Sequence, residues 1–518
     1  RGIIKDTIEN IYLNEDPARA IRLAQQLILM SPEFHVWGAS TRNTGKKRYI
    51  RGYVRAPQHK YKSVVYLFLD GGVDSFNLLV PKGKCIGKDM YREYKSARGI
   101  KALGDSELLD IDTTGSGQVC NTFGINKHFP ILQELYDEGD ALFLANTGIL
   151  AKPVTKYDNW MKESRVQLFA HNHMTREAQF LDPYEKNPGT GVGGRMLDIL
   201  KRNGYQTSAN AVDTNARMLT GDSFWANPIW TVSSQTLPTL DPHSSLGPSV
   251  SVFDDIVKKL NGVSESDDSK MSETWSAMVA KSLSEHEYSQ EIEYAIKSGE
   301  FDVPYKKKTR FDYRLFSIAR YMASRNLRKV DREFYHVTTG GFDHHGGKDL
   351  SEFLPDVNLS LKLFVNELKR QELWDDTVIL IASEFGRSIT PNSGKGTDHG
   401  WAGNYAVVGG ALDGGKIMGK YPDDLTEHSD LWVRRGRMIP TTPWESFWNG
   451  VAQWMGVRGD NDLDFVLPNR KSFDKCTLFT DRDLFTSGDL PHNTCNIADA
   501  DGDGVRDAID QCPDTAYW

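Results

Sequence analysis

Short apolar runs recur along this chain, and each is followed by a loop rich in glycine, acidic or histidine residues. The four clearest runs have the length of buried strands and span residues 63–69, 141–148, 333–339 and 374–382. Apolar residues at helical spacing occupy residues 311–326, 358–373 and 444–457. Strands that alternate with helices are typical of a parallel sheet. We therefore predict a doubly wound α/β fold with a mostly parallel sheet.

Three loops that follow these runs carry the residues with the clearest chemistry. They read LDGGVDSFN at 69–77, GGFDHHGG at 340–347 and SEFGRSITPNSGKGTDHGW at 383–401. In an open α/β sheet, loops at the carboxyl ends of strands line the ligand crevice. Carboxylates and imidazoles there suit Zn²⁺ or Mn²⁺, and oxygen ligands also suit Mg²⁺ or Ca²⁺. Because Asp and Gly are also common turn residues, the residues alone leave a metal site, an anion site and simple turns open.

Several motifs in these loops and after them carry a family resemblance. In chain order they are DGGVDSFN, GGFDHHGG, SEFGRS, GTDHGWAGNYAVVGG, GKYP and RGRMIPTTP. Together they resemble an uncharacterised family, domain of unknown function fifteen hundred and one, a sulfatase-like group of the alkaline phosphatase superfamily. The resemblance covers residues 60–475. It implies an alkaline phosphatase-like fold with the ancestry of a metal-dependent hydrolase, and it implies no substrate.

The resemblance also implies a set of metal ligands. Asp343, His345 and His399 take the positions that would hold one ion, and Asp70 and Glu384 those that would hold a second. Many family members carry Arg at the position of Asp70, so a turn-capping Asp remains the alternative there. In addition, Phe385 stands where the superfamily has a histidine ligand, which removes one ligand of the second ion.

The stretch LFAHNHMTREAQ at 168–179 is where the resemblance places the nucleophile, a hydroxyl at the start of a helix. Thr175 is the nearest hydroxyl, and we expect it to be the catalytic residue. Either His171 or His173 is an alternative ligand or phosphate-binding group, or a hydrogen-bonded polar residue. We expect His173 and Arg387 to bind an anion. Arg435 and Arg437 are further anion candidates, with a structural role as the alternative.

Length and composition limit the possible function classes. The 518 residues suit one large α/β domain with additions, and the net charge of −8 argues against a general nucleic-acid-binding surface. No apolar run has the length of a transmembrane helix. The chain begins with Arg1, which suggests a processed or trimmed chain. We expect three parts: an N-terminal helical segment and linker at 1–60, the main domain at 61–475 and a C-terminal segment at 490–518.

The five cysteines suggest an oxidising compartment, since none forms a CxxC pair. Cys85 and Cys120 flank one insertion, and we expect them to form a disulfide. Cys495 is expected to pair with Cys476 or with Cys512. These pairings favour a secreted or cell-surface protein.

The C-terminal stretch 499–510 has the spacing of a calcium loop, with a glycine, Gly504, at position six. The expected ligands at positions one, three, five, seven, nine and twelve are Asp499, Asp501, Asp503, the Val505 carbonyl, Asp507 and Asp510. A solvated acidic tail is the alternative, but it explains the charge and not the spacing. The stretch resembles a thrombospondin type 3 calcium repeat, which implies an extracellular location.

Two functional hypotheses follow. The first is a secreted metal-dependent hydrolase of phosphate or sulfate esters, with Ca²⁺ in the tail and Zn²⁺ or another divalent ion in the main site. The second is a catalytically inactive extracellular structural, surface-layer or matrix protein that keeps the fold, binds calcium and assembles with matrix or with itself. Elemental analysis of the purified protein separates the two.

Overall fold

The computed structural model describes residues 59–186, 188–213, 216–222, 227–229 and 307–488, with short parts of 1–58 and of 230–306. The chain divides into two compact units. The first consists of residues 1–56 and 232–302, and the second of residues 57–231 and 303–518. The calcium loop expected at 499–510 lies outside the described residues.

The helices and strands are numbered along the chain. The strands are β1 (Arg42–Lys47), β2 (Lys62–Asp70), β3 (Leu79–Cys85), β4 (Leu108–Asp112), β5 (Cys120–Asn126), β6 (Ala141–Gly148), β7 (Thr207–Val212), β8 (Asn227–Ile229), β9 (Val263–Ser266), β10 (Arg332–Gly340), β11 (Thr377–Ala382), β12 (Arg387–Pro391), β13 (Thr397–His399), β14 (Gly403–Val408), β15 (Lys416–Gly419), β16 (Trp432–Val433), β17 (Arg437–Met438) and β18 (Thr442–Pro443). The helices are α1 (Pro17–Leu29), α2 (Met90–Arg98), α3 (Pro130–Glu138), α4 (Trp160–Glu163), α5 (His171–Phe180), α6 (Val192–Arg202), α7 (Arg310–Ala323), α8 (Arg325–Arg328), α9 (Leu354–Arg370), α10 (Trp444–Met455), α11 (Asp460–Val466) and α12 (Asp481–Leu484). Single-turn 3₁₀ helices lie between several of these elements.

In the first unit, α1 precedes an antiparallel pair formed by β1 and β9. The side-chain amide of Asn261 donates to the Met30 carbonyl at 3.2 Å and joins the end of α1 to the segment before β9. Residues 41–60 were expected to be a linker, but β1 lies within them. The pattern of Arg, Lys and Gly in β1 carries no apolar alternation, so it does not indicate a strand.

In the second unit, nine strands form a sheet in the order β15, β6, β14, β11, β2, β10, β7 and β8, with β18 also paired to β6. Every pairing is parallel except those of β14, which runs antiparallel to β6 and β11. The predicted α/β class with a mostly parallel sheet is confirmed. The register sets Gly340 beside Asp70 and Ala382 beside Phe68, so β2, β10 and β11 end at the same edge.

Apolar burial explains why these strands lie at the centre of the sheet. All six residues of β11 are buried, as are seven of the nine in β2, and near-continuous apolar runs are typical of parallel strands covered on both faces. Helix α10 is buried along its whole length. Its Trp448 ring lies 5.7 Å from Phe334 and 6.1 Å from Tyr66, between centroids, and so packs on β10 and β2.

A small antiparallel sheet, β3–β5–β4, contains the disulfide that the sequence predicts. Cys85 lies opposite Cys120 in the register, and the two are bonded. Cys476 is disulfide-bonded as well, and the choice of its partner lies outside the described residues. Among the described helices, none combines the length and the apolar character needed to cross a membrane.

Candidate metal site

Loops from neighbouring parallel strands meet at the carboxyl edge of the sheet. Asp70 is the last residue of β2, the loop after β10 supplies Asp343 and His345, and the loop after β11 supplies Glu384. Gly71 allows the first two loops to touch, because it has a φ of +122° and a Cβ there would lie 2.5 Å from the Asp343 backbone nitrogen. His399 ends β13, and His171 is the first residue of α5.

Three ligand atoms, from His171, Asp343 and His399, converge at this edge, and His345 Nε2 lies beside two of them. The Nε2 atom of His399 lies 2.7 Å from that of His345, 3.0 Å from that of His171 and 3.2 Å from Asp343 Oδ1. Asp343 Oδ1 lies 3.1 Å from His345 Nε2 and 3.5 Å from His171 Nε2. Around a tetrahedral Zn²⁺ with nitrogen ligands, neighbouring ligand atoms lie about 3.3 Å apart. The separations therefore suit a single divalent ion.

The hydrogen bonds made by the Nδ1 atoms determine which ring nitrogen of each imidazole carries the hydrogen. His399 Nδ1 lies 2.8 Å from the Phe169 carbonyl, which can only accept, so this nitrogen carries the hydrogen. His171 Nδ1 lies 2.7 Å from Glu384 Oε1 and donates to that carboxylate. When both rings are neutral, both Nε2 atoms have lone pairs, and these face each other at 3.0 Å. A cation between them removes the repulsion, and an acceptor on Nδ1 is the usual support of a metal-bound histidine.

Charge and burial shift the pKa values of His171 and His399 in opposite directions. The hydrogen bond that His171 donates to Glu384 raises the pKa of His171, against the effect of partial burial. Burial lowers the pKa of His399, and the neighbouring His171, Arg387 and His345 lower it further, whereas its bond to Phe169 opposes this. For the third ring, His345 Nδ1 lies 3.7 Å from Asp398 Oδ1, and Asn392 donates to that oxygen at 3.1 Å.

Arg387 lies behind Asp343 and is fully buried. Its Nη1 donates to Asp343 Oδ1 at 3.0 Å and to the Gly71 carbonyl at 2.9 Å, while Nε and Nη2 bond to Thr397. Burial raises the pKa of Asp343, but the hydrogen bond and charge of Arg387 outweigh it, so the pKa is lowered. We predicted that Arg387 binds an anion. The structure instead places it inside the loop cluster, where it positions Asp343.

Glu384 is also placed differently from the expected second-ion ligand. It is buried, and its two oxygens accept from the Gly71 amide at 3.0 and 3.2 Å, from Ser383 Oγ at 2.8 Å and from His171. Because its oxygens take part in these bonds, Glu384 orients His171. Phe385 fills the adjacent space, and its ring centroid lies 5.0 Å from those of both His171 and His399.

The remaining predicted residues lie around this cluster. Asp70 lies at the surface, but the protein around its carboxylate partly excludes water. This partial desolvation raises the pKa of Asp70, and the negative charges of Glu384 and Asp343 raise it further. Thr175 lies one turn after His171 on the same face of α5. His173 lies two positions after His171, about 200° around the helix, and so points away from the cluster.

A polar cavity of about 580 Å³ opens beside the cluster. Its lining includes His345, Asp398 and Arg435. Arg435 is 77% exposed and lies 3.6 Å from Asp398 Oδ2. Arg437, the other arginine proposed from the sequence, donates to the His399 carbonyl, and its guanidinium lies 4.4 Å from the centroid of Phe169. Arg435 therefore faces the cavity, whereas Arg437 supports the loop that carries His399.

The ligand set was only partly visible in the sequence. His171 was one of two histidine alternatives, and its position at the start of α5 is the signal that distinguishes it from His173. The Phe169 carbonyl gave no signal, because any residue has a carbonyl. Asp398 directly precedes His399 in the sequence, but its position beside His345 depends on tertiary contacts.

This chain shows only limited similarity to known proteins. Residues 259–435 match the family described as Protein of unknown function (DUF1501), which is less than half of the chain. No curated protein matches. The family match agrees with the resemblance of the central motifs.

Solved structures that resemble the chain do so at low identity. They include the lipoteichoic acid synthase LtaP from Listeria monocytogenes, at 9% identity over 85% of this chain and 81% of that one, with a TM-score of 0.29. Ps i-CgsB is 11% identical over 80% and 77%, with a TM-score of 0.30. A sulfatase of glycosaminoglycan metabolism in bacteroides thetaiotaomicron is 10% identical over 84% and 78%, with a TM-score of 0.31. TM-scores this low carry no argument, so the fold rests on the chain's own topology.

Proposed function

We propose that this protein is a metal-dependent hydrolase of phosphate or sulfate esters. The observation that carries the proposal is the convergence of an Asp343 oxygen with the Nε2 atoms of His171 and His399, which lie 3.0 Å apart, with His345 Nε2 beside His399 at 2.7 Å. A carboxylate with imidazoles is a donor set that suits Zn²⁺. Asp343 and His345 are each nearly half exposed, so the site is open to substrate.

Each group around the site has a separate task in this proposal. His171, Asp343 and His399 would hold the ion, and His345 lies beside them as a further candidate ligand. When bound, the ion polarises the ester and lowers the pKa of a water molecule. Glu384, Asp398 and the Phe169 carbonyl keep the three imidazoles oriented. Arg435 lines the polar cavity and receives the negative oxygens of the ester.

Water is the proposed nucleophile. Among the described residues, no hydroxyl forms a hydrogen bond to these ligand atoms, which argues against direct attack by Thr175. Asp70 is the proposed proton acceptor, because its carboxylate lies close enough to Glu384, His171 and Asp343 to feel their charges. A raised pKa makes a carboxylate a better base. Attack forms the new bond from the water oxygen to phosphorus or sulfur and transfers one proton to Asp70. The ester bond breaks with its electron pair on the leaving oxygen, which takes up that proton and departs as the alcohol.

Elemental analysis followed by an ester assay tests this function. The purified chain should hold about one equivalent of a transition metal, and it should hydrolyse p-nitrophenyl phosphate or p-nitrophenyl sulfate. His399→Ala should lose both the metal and the activity, while His173→Ala, on the opposite face of α5, should keep both. A wild-type chain that holds no transition metal after metal loading would end the proposal.

Phe385 favours a second candidate function, that of a non-catalytic extracellular protein. Its buried ring occupies the space beside His171 and His399 where the family resemblance implies a second metal ligand. A chain that binds metal but hydrolyses neither ester would support this candidate. The metal would then stabilise the loop cluster, as structural ions do.

Secretion and calcium binding complete the proposal. The Cys85–Cys120 disulfide supports an oxidising compartment. The acidic spacing at 499–510 supports a calcium loop in the C-terminal segment, and such a segment fits the matrix or cell surface as the site of action. Localisation of the tagged protein by cell fractionation tests the first point, and calcium titration tests the second.

A further inference from the structure

A second cavity, of about 340 Å³, lies between the end of α5 and the segment around residues 217–220. Its lining comprises Arg176, Phe180, Pro188, Gly189, Arg217 and Thr220. None of the ligands of the candidate metal site is among them. This cavity, called the arginine cavity below, has two cationic side chains and no acidic one in its lining.

Arg176 has an unsatisfied donor in this region. Its Nε is buried and has no hydrogen-bond acceptor among the described residues. A buried donor without an acceptor is unfavourable, because it has lost its hydrogen bonds to water. The neighbouring acid, Glu177, does not supply that acceptor, because its carboxylate faces the chain turn after α5 and accepts from the Asp182 amide at 2.7 Å. An external acceptor would satisfy the Arg176 donor.

Arg217 adds a second positive charge. It is the exposed residue of a single-turn 3₁₀ helix whose other two residues are buried, and within the described residues it has no acidic partner. Two guanidinium groups that share one cavity repel each other unless an anion lies between them. The planar guanidinium presents paired donors that match a tetrahedral oxyanion, and Thr220 offers a hydroxyl at the rim.

We propose that the arginine cavity is a binding site for a tetrahedral oxyanion, phosphate or sulfate, separate from the candidate metal site. Arg176 and Arg217 supply the charge and the donors. The proposal does not depend on hydrolase activity, since neither arginine contacts the metal ligands. Arg176 does share α5 with His171, so the two sites lie on one helix.

Titration calorimetry of the full chain with inorganic phosphate and, separately, with inorganic sulfate tests the proposal. The protein is treated with a chelator first, so that an anion on a metal ion does not contribute. We expect one anion per chain, and about a tenfold weaker binding for Arg217→Gln, the change expected when a charge-assisted hydrogen bond is lost. Arg217→Lys should fall in between, because it keeps the charge but loses the paired donors. Arg92→Gln, at an exposed position outside the lining of both cavities, is the matched control and should bind as the wild type does.

Chemical modification gives a second measurement that needs no variant. Phenylglyoxal should label Arg217 in the free protein, and saturating phosphate or sulfate should protect it, as mapped by mass spectrometry. Protection by one anion only would identify which of the two the cavity prefers. Unchanged affinity in Arg217→Gln, labelling that neither anion reduces, or no saturable binding of either anion would each overturn the proposal.

Discussion

His171 Nε2 lies 3.0 Å from His399 Nε2, and each ring has its Nδ1 held by an acceptor from a different loop. His171 is held by Glu384 after β11, and His399 by the carbonyl of Phe169 before α5. The segment before α5 therefore holds His399 in place, and the loop after β11 holds His171. This reciprocal arrangement fixes both lone pairs toward one point, which is what a metal ion requires.

The bond between Glu384 and His171 predicts a specific effect on metal affinity. Glu384→Gln keeps the shape of the side chain but removes its charge, so His171 becomes a weaker ligand. We expect Zn²⁺ affinity to fall by roughly 10–100-fold, the usual effect of losing such a partner. Competition with a chromogenic chelator measures it. Glu134→Gln, which removes an exposed carboxylate paired with Lys362, is the control and should not change the affinity; equal losses in both variants would contradict the assignment.

Arg387 predicts a stability effect. Its guanidinium is fully buried and holds Asp343, Gly71 and Thr397 together. Arg387→Gln takes a hydrogen-bond donor from the Gly71 and Thr397 carbonyls, and we expect a loss of about 1–3 kcal/mol of unfolding free energy. Urea unfolding of metal-free protein measures the loss. Arg435→Gln, on the exposed side of the cavity, should lie within about 0.5 kcal/mol of the wild type.

His336 predicts an acid-dependent loss of stability. It is buried in β10 with no partner for either ring nitrogen among the described residues, and burial lowers its pKa to about 4 from an ordinary value of 6.5. The unfolded chain therefore binds a proton that the folded chain does not. The stability contribution is complete above pH 6.5 and is lost progressively as pH falls toward 4, by at most roughly 3 kcal/mol.

Thermal unfolding between pH 7 and 4 tests this effect by comparing slopes. His336→Leu should flatten the dependence of unfolding free energy on pH in that window, whatever its effect on stability at pH 7. His428→Leu, at an exposed position, should leave the slope unchanged. A His336→Leu slope equal to that of the wild type would mean that other groups cause the acid sensitivity.

The Cys85–Cys120 disulfide should stabilise the small antiparallel sheet. It closes a loop with a sequence separation of 35, for which chain entropy predicts about 4 kcal/mol. The double variant Cys85→Ser, Cys120→Ser should lower the urea midpoint accordingly, and reductant should affect this variant less than the wild type. A midpoint that neither change moves would show that the pairing does not stabilise the fold.

The C-terminal segment yields a prediction that depends on calcium alone. Five carboxylates within residues 499–510 repel one another without a cation, and so small a segment has almost no core. Chelation should expose residues 496–512 to proteases while the α/β unit resists, and Asp501→Ala should have the same local effect. Equal protease resistance with and without chelator, and no heat on calcium titration, would leave the acids as a solvated surface.

The sequence by itself determined the main strands and the loops that follow them. The runs before Asp70, Asp343 and Glu384 are apolar enough to be buried on both faces, and parallel strands of that kind must end at one edge. The grouping of Asp343, His345 and His399 followed from that edge and from the family resemblance. These predictions agree with the structure because burial and turn preferences depend on only a few neighbouring residues.

Only the tertiary structure decided which side chains complete the site. His171 comes from a helix more than 150 residues before Asp343 in the chain, and its selection over His173 depends on the rotation of α5. Glu384 and Arg387 were expected to bind ligands, yet their loop turns both inward, where they hold His171 and Asp343. β15 pairs with β6 rather than with β14, its neighbour in sequence. These outcomes depend on contacts between distant segments, and the spacing of residues along a chain does not contain the direction in which a side chain points once those segments pack.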